Sequence, residues 1–382
     1  MRPTRSELVL LFAHLGTTGF GGPIALVGYM ERELVEQRQW VTPQEFRDGL
    51  AFSQLAPGPL AAQLAIYLGW VCHGVRGATI TGLAFVGPSF VMVVVLAAMY
   101  ARFGGIAWLQ GAFYGVGASV IAIIARSAIK LTRTTLGRDG LMWALFAVCA
   151  AVTAWREAEL VWLFVLCGVI AMVVKAPPRR SKSLASYVGG LSDLTQLTSG
   201  LHGAGSVPEV AALFLFFASA GLFVFGSGLA IVPFLYDGVV RQHRWLTDRQ
   251  FLDAVAVALI TPGPVVITVA FIGYLVGGFA GATAAALGVF APVYAITVVA
   301  APRYERLKAD RRVRAFVDGV TAAATGAIAG AAIVLGRRSI VDGPTIAIAI
   351  ATLVLLTRVR RIPEPIWILA AGVVGVAAKG VS

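Results

Sequence analysis

An internal repeat constrains this chain more than any other feature. Trp40 and Trp245 stand 205 residues apart. Without gaps, the same offset lays Gly16 on Gly221, Phe20-Gly21 on Phe225-Gly226, Thr42 on Thr247, Phe46 on Phe251 and Asp48 on Asp253. It also lays Pro57-Gly58-Pro59 on Pro262-Gly263-Pro264. About a third of the positions from Leu8 to Pro59 recur identically, and apolar composition alone does not put a Trp, an Asp and a Pro-Gly-Pro in register. Both halves must therefore adopt one fold. The expected organisation is a repeat over 1–175, a linker rich in Ser, Gly, Lys and Arg over 176–207, and a second repeat over 208–382.

The solvent for that fold follows from composition. Of 382 residues, 58% are hydrophobic and 13% charged, with mean hydropathy +0.83, whereas a soluble domain is nearer half apolar and a quarter charged. Apolar runs at 77–101, 107–129, 280–302 and 315–336 are long enough to cross a bilayer as helices. A barrel would show alternating segments of about ten residues instead. The expectation is an all-α polytopic membrane protein. Its net charge of +12 lies on Lys and Arg between the apolar runs, where membrane topology puts them. No basic stripe interleaves with aromatics, which argues against nucleic acid.

Each repeat reads in the same order. An apolar run (8–19, 210–224) meets a glycine cluster, Gly21-Gly22-Pro23 or Gly226-Ser227-Gly228. A second run leads to a charged stretch ending at Trp40 or Trp245, which suit interface anchors. Thr42 with Glu45, and Thr247 with Gln250, are capping boxes that start a helix. That helix ends at Pro-Gly-Pro, and a further run follows (60–73, 265–277). The segments beside each Pro-Gly-Pro have about 12 to 16 residues, too short to span a bilayer, so discontinuous or re-entrant helices are predicted.

The loop from Arg303 to Arg314 carries Arg306, Lys308, Arg311 and Arg312 as well, whereas its first-half counterpart holds only Arg102. The next first-half loop reverses the balance with Lys130, Arg133 and Arg138, which favours an inverted repeat. Simple helix counting gives both halves one orientation. Inversion therefore demands a re-entrant segment or a linker that crosses.

Short Gly/Pro-broken segments at matching places in two repeats point to a transporter binding site. Helix starts present free N–H groups and a positive dipole end, which suits an anion. The predicted substrate-binding residues are Gly21, Gly22, Pro23, Gln54, Pro57, Gly58, Pro59 and Gln63, with Gly226, Ser227, Gly228, Thr261, Pro262, Gly263 and Pro264. Ser53, Thr268 and the other hydroxyls and amides near the breaks read either as oxyanion donors or as interhelical hydrogen-bonding groups. Asp48 and Asp253 read either as proton-coupling carboxylates or as interfacial residues near a helix start. Glu31 and Glu33, with Glu36, Arg32 and Arg38, form a solvated face that suits a gate. His14 reads as a packed neutral histidine, and Cys72, Cys149 and Cys167 as small buried hydrophobes. None of the five lysines follows a glycine, so no phosphate-binding GxxxxGK[ST] loop exists. Neither HExxH nor GxSxG occurs. No enzyme activity, metal or cofactor is expected.

Phe20-Gly21-Gly22-Pro23, Glu33, Trp40, Phe46, Gln54-Leu55-Ala56-Pro57-Gly58-Pro59 and Gln63-Leu64-Ala65 together resemble the chromate ion transporter (CHR) family in its long two-domain form. Phe225-Gly226-Ser227-Gly228, Trp245 and Thr261-Pro262-Gly263-Pro264 are similar to its C-terminal domain. The resemblance covers nearly the whole chain. It implies secondary active export of chromate across the bacterial inner membrane and chromate resistance, with sulfate as the isosteric relative. Sulfate or another oxyanion as substrate, and a passive anion channel, are the alternatives. The expected partners are a small oxyanion, the lipid bilayer and a second copy in a homodimer.

Overall fold

A computed structural model describes residues 2–20, 22–103, 107–156, 161–176, 209–222, 231–304, 310–340, 342–358 and 364–380. The described residues form helices and no strand. The first repeat holds α1 (Arg5–Thr18), α2 (Gly22–Glu31, continued by a π-helical turn Arg32–Gln37), α3 (Pro43–Leu55), α4 (Leu60–Phe103), α5 (Ala107–Leu136), α6 (Gly140–Arg156) and α7 (Val161–Lys175). The second holds α8 (Glu209–Leu222), α9 (Ile231–Tyr236, then a π turn Asp237–Gln242) and α10 (Asp248–Ile260). After these come α11 (Thr268–Ala300, preceded by a 3-10 turn Val265–Ile267), α12 (Arg311–Ser339), α13 (Gly343–Arg358) and α14 (Glu364–Gly380).

The sequence repeat is a backbone repeat to fine detail. Thr42 and Thr247 both close the expected capping boxes. Gln39 and Arg244, equivalent non-glycine residues, both adopt positive φ, at 52° and 53°.

Although continuous in hydrogen bonding, α4 is a hairpin. His73 and Gly74 leave helical geometry, Gly74 at φ 60° and ψ −147°. Beyond the turn the backbone of Gly77 lies against that of Gly69, and Gly82 faces Ile66. In a straight helix those two pairs would stand about 12 and about 24 Å apart. A short arm (60–72) thus folds back on a long arm (75–103). In α11 the same reversal at Gly277-Gly278 sets Gly273 against Gly281.

Two further reversals follow from contacts. Phe52 stacks on Tyr67, their ring centroids 5.2 Å apart, so α3 and the short arm run antiparallel, with Pro57-Gly58-Pro59 at their tip. Arg2 reaches both the Trp40 carbonyl (3.3 Å) and Glu45 (2.5 Å), and His73 Nε2 lies 2.7 Å from the Pro3 carbonyl. The start of α1, the end of the α2 segment, the start of α3 and the turn of α4 therefore share one end of the molecule. The first 72 residues make two re-entrant hairpins that enter from this end. Arms of 13 to 16 residues reach about 20 Å, which carries the tips well into a core about 30 Å thick.

The second repeat enters from the opposite end. The long arms of α4 and α11 cross antiparallel, for Thr79 Oγ1 meets the Tyr294 hydroxyl at 2.7 Å while Phe90 packs edge-on against Phe279. At the far end Tyr100 bonds to Asp253, Arg249 donates to the Gln110 carbonyl (3.0 Å) and Arg241 to the Arg156 carbonyl (3.3 Å). The repeat is inverted, as the loop charges implied. Arg2, Arg133, Arg138, Lys175, Arg303, Arg311, Arg312 and Arg314 gather at the first end. Lys175 sits there beside Asp139 (2.7 Å) and Asp318 (3.8 Å). Glu209 starts at the opposite end, where Val210 and Leu213 flank Gly277.

The halves also exchange helices. The pair α6–α7 packs on α12 of the second repeat, and α13–α14 on α5 of the first. Small residues permit the approach: Gly111, Gly115 and Gly375 line the α5–α14 seam, and Gly319, Gly326 and Gly330 meet α6 and α7. Lipid tails are as apolar as leucine, so close packing rather than apolar burial drives such contacts. Arg126 and Glu364 (3.1 Å) and Tyr114 and Asp342 (2.5 Å) add polar links across the α5 seam. His14, expected to be packed, is exposed, because the buried stripe of α1 runs through Leu8, Leu11, Phe12 and Leu15 instead.

Candidate functional site

Helix breaks from both halves converge where the long arms cross. Gly263, at the Pro-Gly-Pro tip of the second repeat, donates its N–H to the Gly19 carbonyl at the α1–α2 tip, 2.9 Å away. Ser89, fully buried on the long arm of α4, donates to the Gly16 carbonyl (3.1 Å) and packs against Gly263. At the equivalent place in the second repeat Val293, on the long arm of α11, packs against Gly58. Both glycines need their type. Gly58 has φ 141° and Gly263 φ 99°, where L side chains are strained. A Cβ on Gly263 would overlap the Ser89 hydroxyl, and one on Gly58 would lie 2.8 Å from both Val293 and the Gln63 amide carbon.

Three helical starts point into this region: α2 at Gly22, the short arm of α4 at Leu60 and the 3-10 turn at Val265. The first N–H groups of a helix have no acceptor within it, and the dipole puts partial positive charge there. Leu60, Ala61 and Ala62 are buried, as are Val265 and Val266, so these N–H groups lie inside protein rather than in lipid. Pro23 falls at the second position of its helix, and Pro59 and Pro264 each precede theirs, where a missing N–H is harmless. Gly21 and Gly226, Ser227 and Gly228 lie outside the described residues.

The side chains behave differently from the backbone. Ser53 donates to the Gly49 carbonyl (2.8 Å), Thr268 to Val265 (2.8 Å), and Thr261 shares its hydrogen between Val257 (3.0 Å) and Ala258 (3.2 Å). Hydroxyls read from sequence as oxyanion donors thus spend their hydrogens on their own helices. Backbone N–H groups are left as the donors. Gln54 is exposed, and Gln63, fully buried, donates Nε2 to the Pro57 carbonyl at 2.7 Å.

The carboxylates sit away from the tips. Glu31 is exposed at the first end and Glu33 pairs there with Arg38 (3.2 Å). Asp48 is half-buried midway along α3 and accepts from Gln44 (3.1 Å). Asp253, its equivalent, is buried and accepts from the Tyr100 hydroxyl at 2.7 Å. The two copies are therefore not in the same state. α10 packs along α5 and α14 and is buried from Asp253 to Leu259, whereas among the described residues α3 has no comparable packing on α12 or α7. Sequence reasoning missed Ser89 and Tyr100. The signal for Ser89 was available, since Pro88 and Pro292 mark equivalent points on the two long arms. Trp40, under the Arg38 guanidinium (4.8 Å), and Trp245, stacked on His243 (4.2 Å), stand at the two ends, as anchors would.

Fold and site define a class: a multi-pass helical membrane protein built from two inverted repeats, with paired re-entrant hairpins meeting inside. The chromate transporter family matches residues 6–172 and again 211–376, and the chain belongs to that family. It is 52% identical to a chromate transport protein of Cupriavidus metallidurans, over 98% of this chain and 93% of the relative. It is 51% identical to a probable chromate transport protein of Synechococcus elongatus (97% and 94%) and 30% identical to a chromate transport protein of Pseudomonas aeruginosa (97% and 91%). No solved structure matches the chain.

Proposed function

We propose that the protein is a secondary active transporter that exports chromate across the bacterial inner membrane and so confers chromate resistance. The observation that carries this reading is the joining of hairpin tips from opposite repeats, Gly263 N–H on Gly19, in a member of this family. The substrate-binding set is the tips: Gly21, Gly22 and Pro23, Pro57 to Pro59 with Gln63, Gly226 to Gly228, and Thr261 to Pro264. A tetrahedral oxyanion that enters must shed water, and helix-start N–H groups replace it without a buried cation. Partial charges bind such an anion loosely enough to release it, whereas buried arginines would hold it.

Unequal hairpins favour a transporter over an open pore. With the positive first end in the cytoplasm, α3 is the loosely packed gate on the cytoplasmic side and α10, tied by Asp253 to Tyr100, the closed one outside. Alternation would swap those roles, with Asp48 and Asp253 taking part in coupling and Glu31 and Glu33 in the gate. Sulfate, the isosteric dianion, is the alternative substrate reading.

Chromate uptake by inverted vesicles with an imposed proton gradient tests the reading. Accumulation against a gradient, lost on adding a protonophore, is the expected result. Uptake that only equilibrates would mean a channel, and sulfate uptake without chromate uptake would move the substrate.

A further inference from the structure

The Gln63 amide lies across the Pro57-Gly58-Pro59 tip, fully buried, and only half of it is used. Nε2 donates to the Pro57 carbonyl at 2.7 Å, while Oε1 has no hydrogen-bond partner among the described residues. Its orientation is fixed by that contact, because turning the amide over would set two carbonyl oxygens face to face. A buried acceptor left unmade is costly, so a partner that carries a hydrogen belongs there. The same tip opens a helix whose first N–H groups, on Leu60, Ala61 and Ala62, are donors.

Several donors and one acceptor discriminate among ligands. A dianion with four bare oxygens suits the donors but turns a lone pair toward Oε1. A metal cation suits Oε1 but is repelled by N–H groups and a positive helix end. A monoanion bearing one hydroxyl satisfies both. Resting on the chromate reading above, we propose that this site takes its oxyanion in the monoprotonated form, the substrate O–H donating to Gln63 Oε1. Hydrogenchromate keeps its proton up to near neutrality, whereas hydrogensulfate keeps its own only in strong acid. Gln63 then selects chromate over sulfate by protonation rather than by shape, since the two dianions have the same geometry.

Titratable groups on the elements around this tip are Tyr67 and Cys72 on the same arm, Arg5, Glu7 and His14 on α1, Tyr29 and Glu31 on α2, Glu45, Arg47 and Asp48 on α3, and Tyr274 and Tyr294 on α11. Histidine is the type that changes charge near neutrality, so His14 is the control.

The test is tracer exchange of dilute chromate in inverted vesicles, with equal pH and equal chromate on both sides. As hydrogenchromate becomes the minor species, exchange should fall about tenfold per pH unit, and equimolar sulfate should not compete. Gln63→Met keeps the length and removes the acceptor; it should flatten the pH slope and let sulfate compete. His14→Gln should keep the parent slope. A parent rate flat in pH, sulfate competing equally with chromate, a Gln63→Met slope like the parent's, or loss of the slope in His14→Gln would each overturn the proposal. If Gln63→Met fails to fold, the parent and His14→Gln decide. Absence of chromate exchange at every pH would instead bring down the transport reading itself.

Discussion

Gly263 binds Gly19, and its missing side chain leaves room for Ser89. Gly263→Ala therefore adds backbone strain of about 1–3 kcal/mol and an overlap with the Ser89 hydroxyl. We expect chromate uptake to fall at least tenfold while the protein stays monodisperse in detergent. Ser89→Gly in the same chain should recover part of the loss, because it removes the overlap but not the strain. Unchanged uptake by a folded Gly263→Ala variant would take this tip out of the path. A second residue pair tests the closed gate. Asp253→Asn and Tyr100→Phe each remove part of one hydrogen bond between the repeats, and a double-mutant cycle on thermal stability should show coupling of about 1 kcal/mol. Additive effects would mean that the bond does not hold α10. The sequence exposed the glycines, whose spacing no other requirement explains. It hid Tyr100, which meets Asp253 only because the long arm of α4 crosses into the other repeat.

At the scale of elements, turn chemistry was legible and pairing was not. Capping boxes at Thr42 and Thr247, and the ends of α3 and α10 at Pro-Gly-Pro, stood in the sequence because local hydrogen bonds set them. Packing of α6 and α7 on α12 could not be read, since their lipid-facing and protein-facing stripes are both apolar. One polar fastening of this exchange is open to test. The Lys175 ammonium, with help from the Met142 and Leu141 N–H groups, holds the Asp139 carboxyl below the usual carboxylate range despite some desolvation. A lowered carboxylate pKa contributes stability above the ordinary value and loses it as pH falls through the lowered one. Asp139→Asn should therefore melt below the parent at neutral pH, and the gap should close in acid, below the usual carboxylate range. The pair is partly exposed, so the neutral-pH gap should be small. A gap that widens on acidification would reverse the assignment.

For the whole molecule, inversion accounts for the loop charges. The hairpins over residues 5–72 turn back inside the membrane, and the long arm of α4, α5, α6 and α7 then cross in turn, so Lys175 closes the first repeat at the end where it began while Glu209 opens the second at the other. Arg2, Arg138, Lys175 and Arg303 share an end while Arg241 and Arg249 lie at the other. Single cysteines at Arg303 and Arg249, labelled with an impermeant maleimide, should react from opposite sides, Arg303→Cys from the cytoplasm. Labelling of both from one side would mean parallel repeats. The central claim is that the oxyanion passes where tips from the two repeats meet. Chromium anomalous density from crystals of the protein with chromate tests it most directly. The account predicts a peak at the crossing of the long arms, within hydrogen-bonding reach of the helix starts beside Gly19, Gly58 and Gly263. A peak held instead by the arginines between Arg303 and Arg314, with the tips empty, would contradict it.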